Sequence, residues 1–379
     1  MKEVSYMAEE KRSGIDLILA LDSKIKEVYT DSLDMSFGEL ANKYRDKEII
    51  IHPDFQRLFR WSEGKQSRFI ESLLLKLPIP PFFLIENEDS TWELVDGLQR
   101  ISSYLHFTGA LLDRKDCYLE LTECDIIPEL NNFTYKDLPI ALQLALKNRY
   151  IRLEVIRKGS DSRLRYDMFK RLNTGGENLS DQEIRNSTIR ILNVEFNKFI
   201  IRLAGNDDFR KCTSTLTEDK ISEKYDQELV LRFFAFKNNR DKFKHDVADF
   251  MTEYMEAVSD PKKKDIVIDY AMEASIFEKT FKILKETLDE YAFSRTNEKG
   301  NYVLGFIVYH YEAFTLGIQK HLHKIDLCNP TQMQKIKEEF ESIKRDQEFR
   351  EYTTGGGRNT KKYLNDRVEF VEKRLGNIL

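Results

Sequence analysis

Cysteine, histidine, phosphate-loop glycines and long apolar runs are all scarce in this chain, and each scarcity removes a class of function. The four cysteines, Cys117, Cys124, Cys212 and Cys328, are scattered, with no Cys-x-x-Cys pair. Free thiols in a reducing cytoplasm are therefore expected rather than a disulfide framework. Six histidines offer no zinc set: His321 and His323 stand two apart, pointing to different sides of a helix, and His310 has no partner at ligand spacing. No Gly-x-x-x-x-Gly-Lys-Ser/Thr stretch is present, which excludes a P-loop, and no Gly-x-Ser-x-Gly elbow or His-centred nuclease motif is found. No run of about 18 apolar residues could span a membrane, and residues 1–14 are too polar for a signal segment. Charge of one sign is also lacking. A net charge of −5 gives no general pull toward nucleic acid, so any such contact needs a local basic patch.

What is present is enough apolar content for well-filled cores, 41% of the sequence, in a chain of 379 residues, too long for one typical core. The expected organisation is α+β: a helical extension over 1–34, a domain with a small mixed sheet over 35–214, and an all-helical domain over 215–379. In the middle domain the periodicities predict helices over 36–44, 62–76 and 138–146, with strands at 49–51, 82–86, 92–95, 117–121 and 150–156. A helix is also expected over 15–29, another over 163–172, and a third opening at Ser180 with Glu183 as capping-box partner. Beyond residue 215 strand signals vanish, and helices are expected over 226–240, 246–258, 264–291, 301–324, 330–350 and 360–376. The polar loop 353–360, with three consecutive glycines, reads as a connector.

The most informative stretch is 91–109. Trp92, Leu94 and Val95 form a short strand, Asp96-Gly97 a tight turn, and Leu98 onward a helix with Ile101 and Leu105 on its apolar side. A helix start exposes unpaired N–H groups where the dipole favours an anion, and Gly97 lets a backbone or phosphate approach. Arg100 would add a forked guanidinium, and Asp96 would hold a divalent cation or a hydroxyl. An ordinary turn followed by a surface arginine accounts for the same residues.

Five stretches in order carry a wider pattern: Gln56-Arg57-Leu58-Phe59-Arg60-Trp61, the 67–72 helix segment, Pro78-Ile79-Pro80, Asp96-Gly97-Leu98-Gln99-Arg100, and Asn173-Thr174-Gly175-Gly176 followed by Leu179, Ser180 and Glu183. Together they resemble the GmrSD-type N-terminal domain family, number 262 among domains of unknown function, over roughly residues 35–190. Its Asp-Gly-Gln-Gln-Arg-like signature is kept here except at the third position, where Leu98 replaces glutamine. The family looks like a relative of the ParB and sulfiredoxin fold, and its members are associated with bacterial defence against phage and modified DNA. Many are combined with an HNH nuclease domain, and some bind and hydrolyse nucleoside triphosphates. No HNH motif is found in 215–379, so DNA cleavage is not expected of this chain.

The resemblance implies a nucleoside triphosphate with Mg²⁺, handled by Asp96, Gln99, Arg100 and Glu71 as catalytic residues, with Asp96 and Glu71 as candidate metal ligands. Gln56, Arg57, Arg60, Ser67, Gly97, Asn173, Gly175 and Gly176 would line the nucleotide. Trp61 and Phe59 either stack on the base or simply pack. A basic run from Arg149 to Arg171 is the local candidate for DNA phosphates, with Arg163, Arg165, Lys170 and Arg171 as contacts, although such runs are usually a solvated face. The expected role is nucleotide binding and hydrolysis in a bacterial anti-phage or restriction system. The alternative is a non-catalytic DNA-binding adaptor whose partner, a nuclease or another defence protein, does the cutting. Homo-oligomerisation remains open, as does a silent domain held together by the same loops.

Overall fold

The computed structural model describes residues 17–19, 21, 29–51, 61–111, 118–160, 168, 180–244, 246–260, 266–297 and 299–379. Contacts divide the chain into two compact units, Met1–Glu177 and Asn178–Leu379.

In the first unit the chain runs β1 (Thr30–Ser36), α1 (Phe37–Arg45), β2 (Ile49–Ile50), α2 (Glu63–Leu74), β3 (Phe82–Glu86), β4 (Trp92–Asp96), α3 (Leu98–Thr108), α4 (Ile140–Lys147) and β5 (Tyr150–Ile156). The five strands form one mixed sheet in the order β1-β5-β3-β4-β2. β1 runs antiparallel to β5, β5 parallel to β3, β3 antiparallel to β4, and β4 parallel to β2. The β3–β4 hairpin turns at Ser90, whose φ is 67°, and Asp89 accepts the Thr91 amide at 3.0 Å. Helices α1, α2 and α3 pack around Phe37, whose ring meets Phe69, Phe82 and Tyr104 at 6.3, 6.0 and 4.8 Å. Ile70, Leu73, Ile101 and Leu105 are buried beside them, each worth roughly 1.5–3 kcal/mol relative to exposure. Ser36 and Ser62 start α1 and α2 by accepting the amides of Glu39 and Lys65, which satisfies one orphan donor of each first turn.

Two expectations for this unit change. Residues 30–36 are a strand, where the helical extension was expected to run to 34, and only Met35 is fully buried. Residues 118–121 are not a strand: Leu119 and Leu121 alternate inward, but their amides go to the His106 and Phe133 carbonyls rather than to a sheet. Of the helix expected over 15–29, the described residues Leu17, Ile18, Leu19 and Leu21 are helical and exposed. The helix expected over 163–172 lies outside the described residues except for Met168, which is helical.

The second unit is helical: α5 (Asp181–Leu192), α6 (Val194–Ala204), α7 (Asp207–Cys212), α8 (Glu218–Ser222), α9 (Tyr225–Asn239), α10 (Val247–Ser259), α11 (Tyr270–Leu288), α12 (Val308–Gly317), α13 (Pro330–Arg345), α14 (Gln347–Thr353) and α15 (Lys361–Gly376). One small hairpin, β6 (Arg295–Thr296) with β7 (Tyr302–Val303), lies between α11 and α12, and β7 takes the place of the first residues of the helix expected over 301–324. The capping box at Ser180 is present in both directions: Ser180 Oγ accepts the Glu183 amide at 3.3 Å and Glu183 accepts the Ser180 amide at 2.9 Å. Helix α9 is buried almost all round, Leu229 to Phe236 without a break, and its Phe233 and Phe234 join Phe277 and Phe281 in an aromatic core. Among the described residues no helix is long and apolar enough to cross a membrane.

A chain of charges runs through this second core. Arg185 meets Glu228 at 3.2 Å, Glu228 meets Arg232 at 3.7 Å, Arg232 meets Glu312 at 2.7 Å, and Arg367 closes on the other Glu312 oxygen. Burial pulls Arg232 down, yet Glu312, Tyr225 and Glu228 together outweigh it and hold the guanidinium above its usual value. Lys344, 1% exposed, donates to the carbonyls of Tyr291, Ala292 and Ser294 at 2.5, 2.8 and 2.9 Å, which uses all three of its protons.

Candidate functional site

The start of α3 is built by β4 and β3. Strand β4 delivers Asp96 to the sheet edge, and the chain turns at Gly97 with φ 107° and ψ 8°. A side chain there would be strained by φ and would place its Cβ 2.5 Å from Phe82 Cδ1, so glycine is required on both counts. Glycine has no side chain with which to cap, and the helix therefore begins without one. Leu98, 5% exposed, turns inward, so the position where the signature has glutamine contributes packing rather than a polar contact.

Arg100 folds back from the first turn. Its Nη2 donates to Asp96 Oδ2 at 2.9 Å, its Nη1 donates to the carbonyl of Pro80 and reaches that of Pro81 at 3.4 Å, and its guanidinium lies 4.9 Å over the Phe82 ring. Burial pulls Arg100 below the usual guanidinium value, and Asp96 pulls it partly back. The arginine side chain is only 12% exposed while Asp96 is 41% exposed. The pair thus offers solvent mainly its carboxylate, and among the described residues Asp96 Oδ1 takes no hydrogen bond.

Gln99, on the next position, accepts the Trp61 amide on Oε1 at 3.2 Å. Gln66 Nε2 in turn donates to the Trp61 carbonyl at 3.0 Å, which leaves Gln66 Oε1 facing His106 Nδ1 at 3.0 Å. An amide oxygen only accepts, so the His106 proton sits on Nδ1. This buried link between α2 and α3 was not legible beforehand. His106 is a lone histidine in a helix, and only its burial at 3% exposed marks it. Trp61 packs, its ring edge-on to Phe69 at 5.9 Å.

Two residues expected at the nucleotide site, Ser67 and Glu71, lie inside. Ser67 is fully buried; its Oγ donates to the Glu63 carbonyl at 2.7 Å and accepts the Thr122 amide at 3.0 Å. Glu71 is 1% exposed, and its Oε1 accepts the amides of Ile126 and Ile127 at 3.0 and 2.6 Å. Rather than facing a nucleotide, Glu71 is an internal cap for the 126–127 loop. Gln56, Arg57, Phe59, Arg60, Asn173, Gly175 and Gly176 lie outside the described residues, as do Arg163, Arg165, Lys170 and Arg171.

The described part of the basic run is largely spent. Arg152 pairs with Asp34 and Glu154, both at 3.3 Å, and Arg157 pairs with Asp31 and Glu86 at 2.6 and 3.6 Å. Arg149 donates to the Leu77 carbonyl, and Lys158 to Ser90. Among the described residues no group of three or more His, Cys, Asp or Glu is placed to hold a metal on its own.

Residues 37–190 match the family described as the N-terminal domain of the GmrSD restriction endonuclease. Comparisons with curated proteins and with solved structures found no match to the chain. The matched span holds α1 to β5 and the whole Asp96–Arg100 site, and ends within α5. Residues 37–190 accordingly form a GmrSD-type N-terminal domain, and this domain suggests a protein of a restriction or anti-phage system.

Proposed function

We propose that the first unit binds a nucleoside triphosphate at the start of α3 and hydrolyses it, as the nucleotide-handling part of a restriction system, on a fold related to ParB and sulfiredoxin. The observation that carries this reading is the uncapped helix start at Gly97, flanked by a half-exposed carboxylate and an arginine already aimed by the Pro80 carbonyl and the Phe82 ring. Helix N–H groups and a fixed guanidinium suit phosphate oxygens, and preorganisation removes the cost of ordering the arginine side chain on binding. Phosphate entering beside Arg100 would compete with Asp96 for Nη2 and release that carboxylate.

Asp96 fits a Mg²⁺ site of the kind in which one or two carboxylates act together with substrate phosphates. Bound there, the ion would neutralise charge on the phosphates. Glu71 does not fit, because one of its oxygens already serves two amides in a closed interior. Gln99 holds Trp61 in place, which makes it a positioning residue for the segment leading into α2. The adaptor reading loses support from the ion pairs that occupy Arg152 and Arg157, and cutting of DNA is assigned to a partner nuclease.

Phosphate release from ATP, GTP, CTP and UTP with Mg²⁺, with and without duplex DNA, tests the reading. Asp96→Asn and Arg100→Ala, each checked for an unchanged circular dichroism spectrum, are expected to lose turnover by about 100-fold or more. Absence of both turnover and nucleotide binding in the wild type would overturn it.

A further inference from the structure

At the far end of α3, about 15 Å along the helix from Gly97 at 1.5 Å per residue, lies a cavity of about 540 Å³ between the ends of α1, α3 and α4. Its volume is that of a small-molecule site. Two cations, Arg45 and Lys147, line it, and no carboxylate does. Arg45 shares its charge with Asp46 at 3.5 Å. Lys147 has no ion pair or hydrogen bond among the described residues, and its stem lies against Gly38, where a Cβ would sit 2.5 Å from Lys147 Cγ.

Helix ends favour cations, so the negative ends of α1, α3 and α4 could by themselves explain two basic residues. Those ends are not bare, however. The carbonyls of Asn42 and Tyr44 accept from Asp46 and Lys47, those of His106 and Leu105 from Gly109 and Ala110, and those of Leu144 and Leu146 from Asn148 and Arg149. A second observation points to a ligand. Tyr104, 3% exposed and held by Phe37, lines the cavity, and its hydroxyl has no hydrogen-bond partner among the described residues. That hydroxyl is not sealed from solvent, and a ligand in the cavity would take the place of water as its partner. Tyr135, half-buried and edge-on to Phe107 at 5.8 Å, adds a second phenol, and Leu111 an apolar wall.

We infer that this cavity binds a small aromatic anion of mononucleotide size, with its negative group on Lys147 and the Tyr104 hydroxyl and its ring beside Tyr135 and Leu111. The site is separate from the start of α3 and stands or falls independently of triphosphate hydrolysis there.

Isothermal titration with AMP, adenosine and inorganic phosphate as probes tests it, using wild type, Lys147→Met and Tyr104→Phe, with thermal unfolding to verify that both variants fold. AMP is expected to bind more tightly than adenosine or phosphate. One AMP site is expected to weaken about tenfold or more in Lys147→Met, the size of a lost charge-assisted hydrogen bond, and by a smaller factor in Tyr104→Phe. Equal AMP binding by all three folded proteins, or no AMP binding at millimolar concentration, would overturn the inference.

Discussion

Each unit of this protein joins arginine to carboxylate, and the two arrangements differ in what surrounds them. In the second unit Glu312, 1% exposed, is gripped by Arg232 and Arg367 from two helices, and Arg185 and Glu228 extend the chain of charges. In the first unit Arg100 and Asp96 are partners four residues apart, and the acid remains 41% exposed. A sealed network has no route by which a ligand could exchange for one of its members, so its charges serve architecture. A pair with one open oxygen can trade its partner for a phosphate or a cation. Strength of pairing is therefore a poor guide to function here; access to water is the better one.

The comparison breaks most visibly at Glu312. Glu312→Gln leaves two buried guanidinium groups short of a counter-charge and is expected to destabilise the second unit by about 3–5 kcal/mol in denaturant unfolding. A loss under about 1 kcal/mol would mean that the network is solvated and no different from the surface pairs. Gly97→Ala is expected to cost about 1–3 kcal/mol through its positive φ and the Phe82 contact, in the first unit. A smaller, pH-linked effect belongs to His310. Burial first, then the charge of Lys344, holds its ring well below the ordinary value of 6.5. The unfolded chain then binds a proton that the folded one refuses, so stability is expected to fall as pH drops below about 6.5, by at most about 1.4 kcal/mol per pH unit. His310→Phe, which preserves the contacts with Phe314 and Phe349, should flatten that slope in thermal unfolding between pH 4.5 and 7; an unchanged slope would assign it to other groups.

Much of the first unit was legible because its signals are local. The cap at Ser36, the β3–β4 hairpin and the strand–Gly97–helix turn each depend on neighbours within a few residues. Strand β1 was not, because its Thr-Asp-Ser-Leu-Asp-Met-Ser sequence has little strand propensity, and ion pairs of Asp34 to Arg152 of β5 and of Asp31 to Arg157 just beyond it accompany its register. The alternation of Leu119 and Leu121 was read as a strand, whereas it records burial without a ladder. Helix over 264–291 was expected, but α11 starts at Tyr270, where Asp269 caps the Ala271 and Met272 amides. At the candidate site, Asp96 and Gly97 declared themselves through turn chemistry. The burial of Glu71 and Ser67 did not, since both are closed off by residues 122–127, some 55 positions away in sequence.

The pairing of β1 also has a consequence in time. Ser32 meets Glu154 across 122 positions of chain, and β5 is also the strand that joins β1 to β3. On the ribosome, β1 must wait, without its sheet partner, until synthesis has passed Ile156. Loop closure over such a span is slow relative to hairpin formation, so the β3–β4 hairpin and the turn at Gly97 are expected to form well before the far edge of the sheet that supports them.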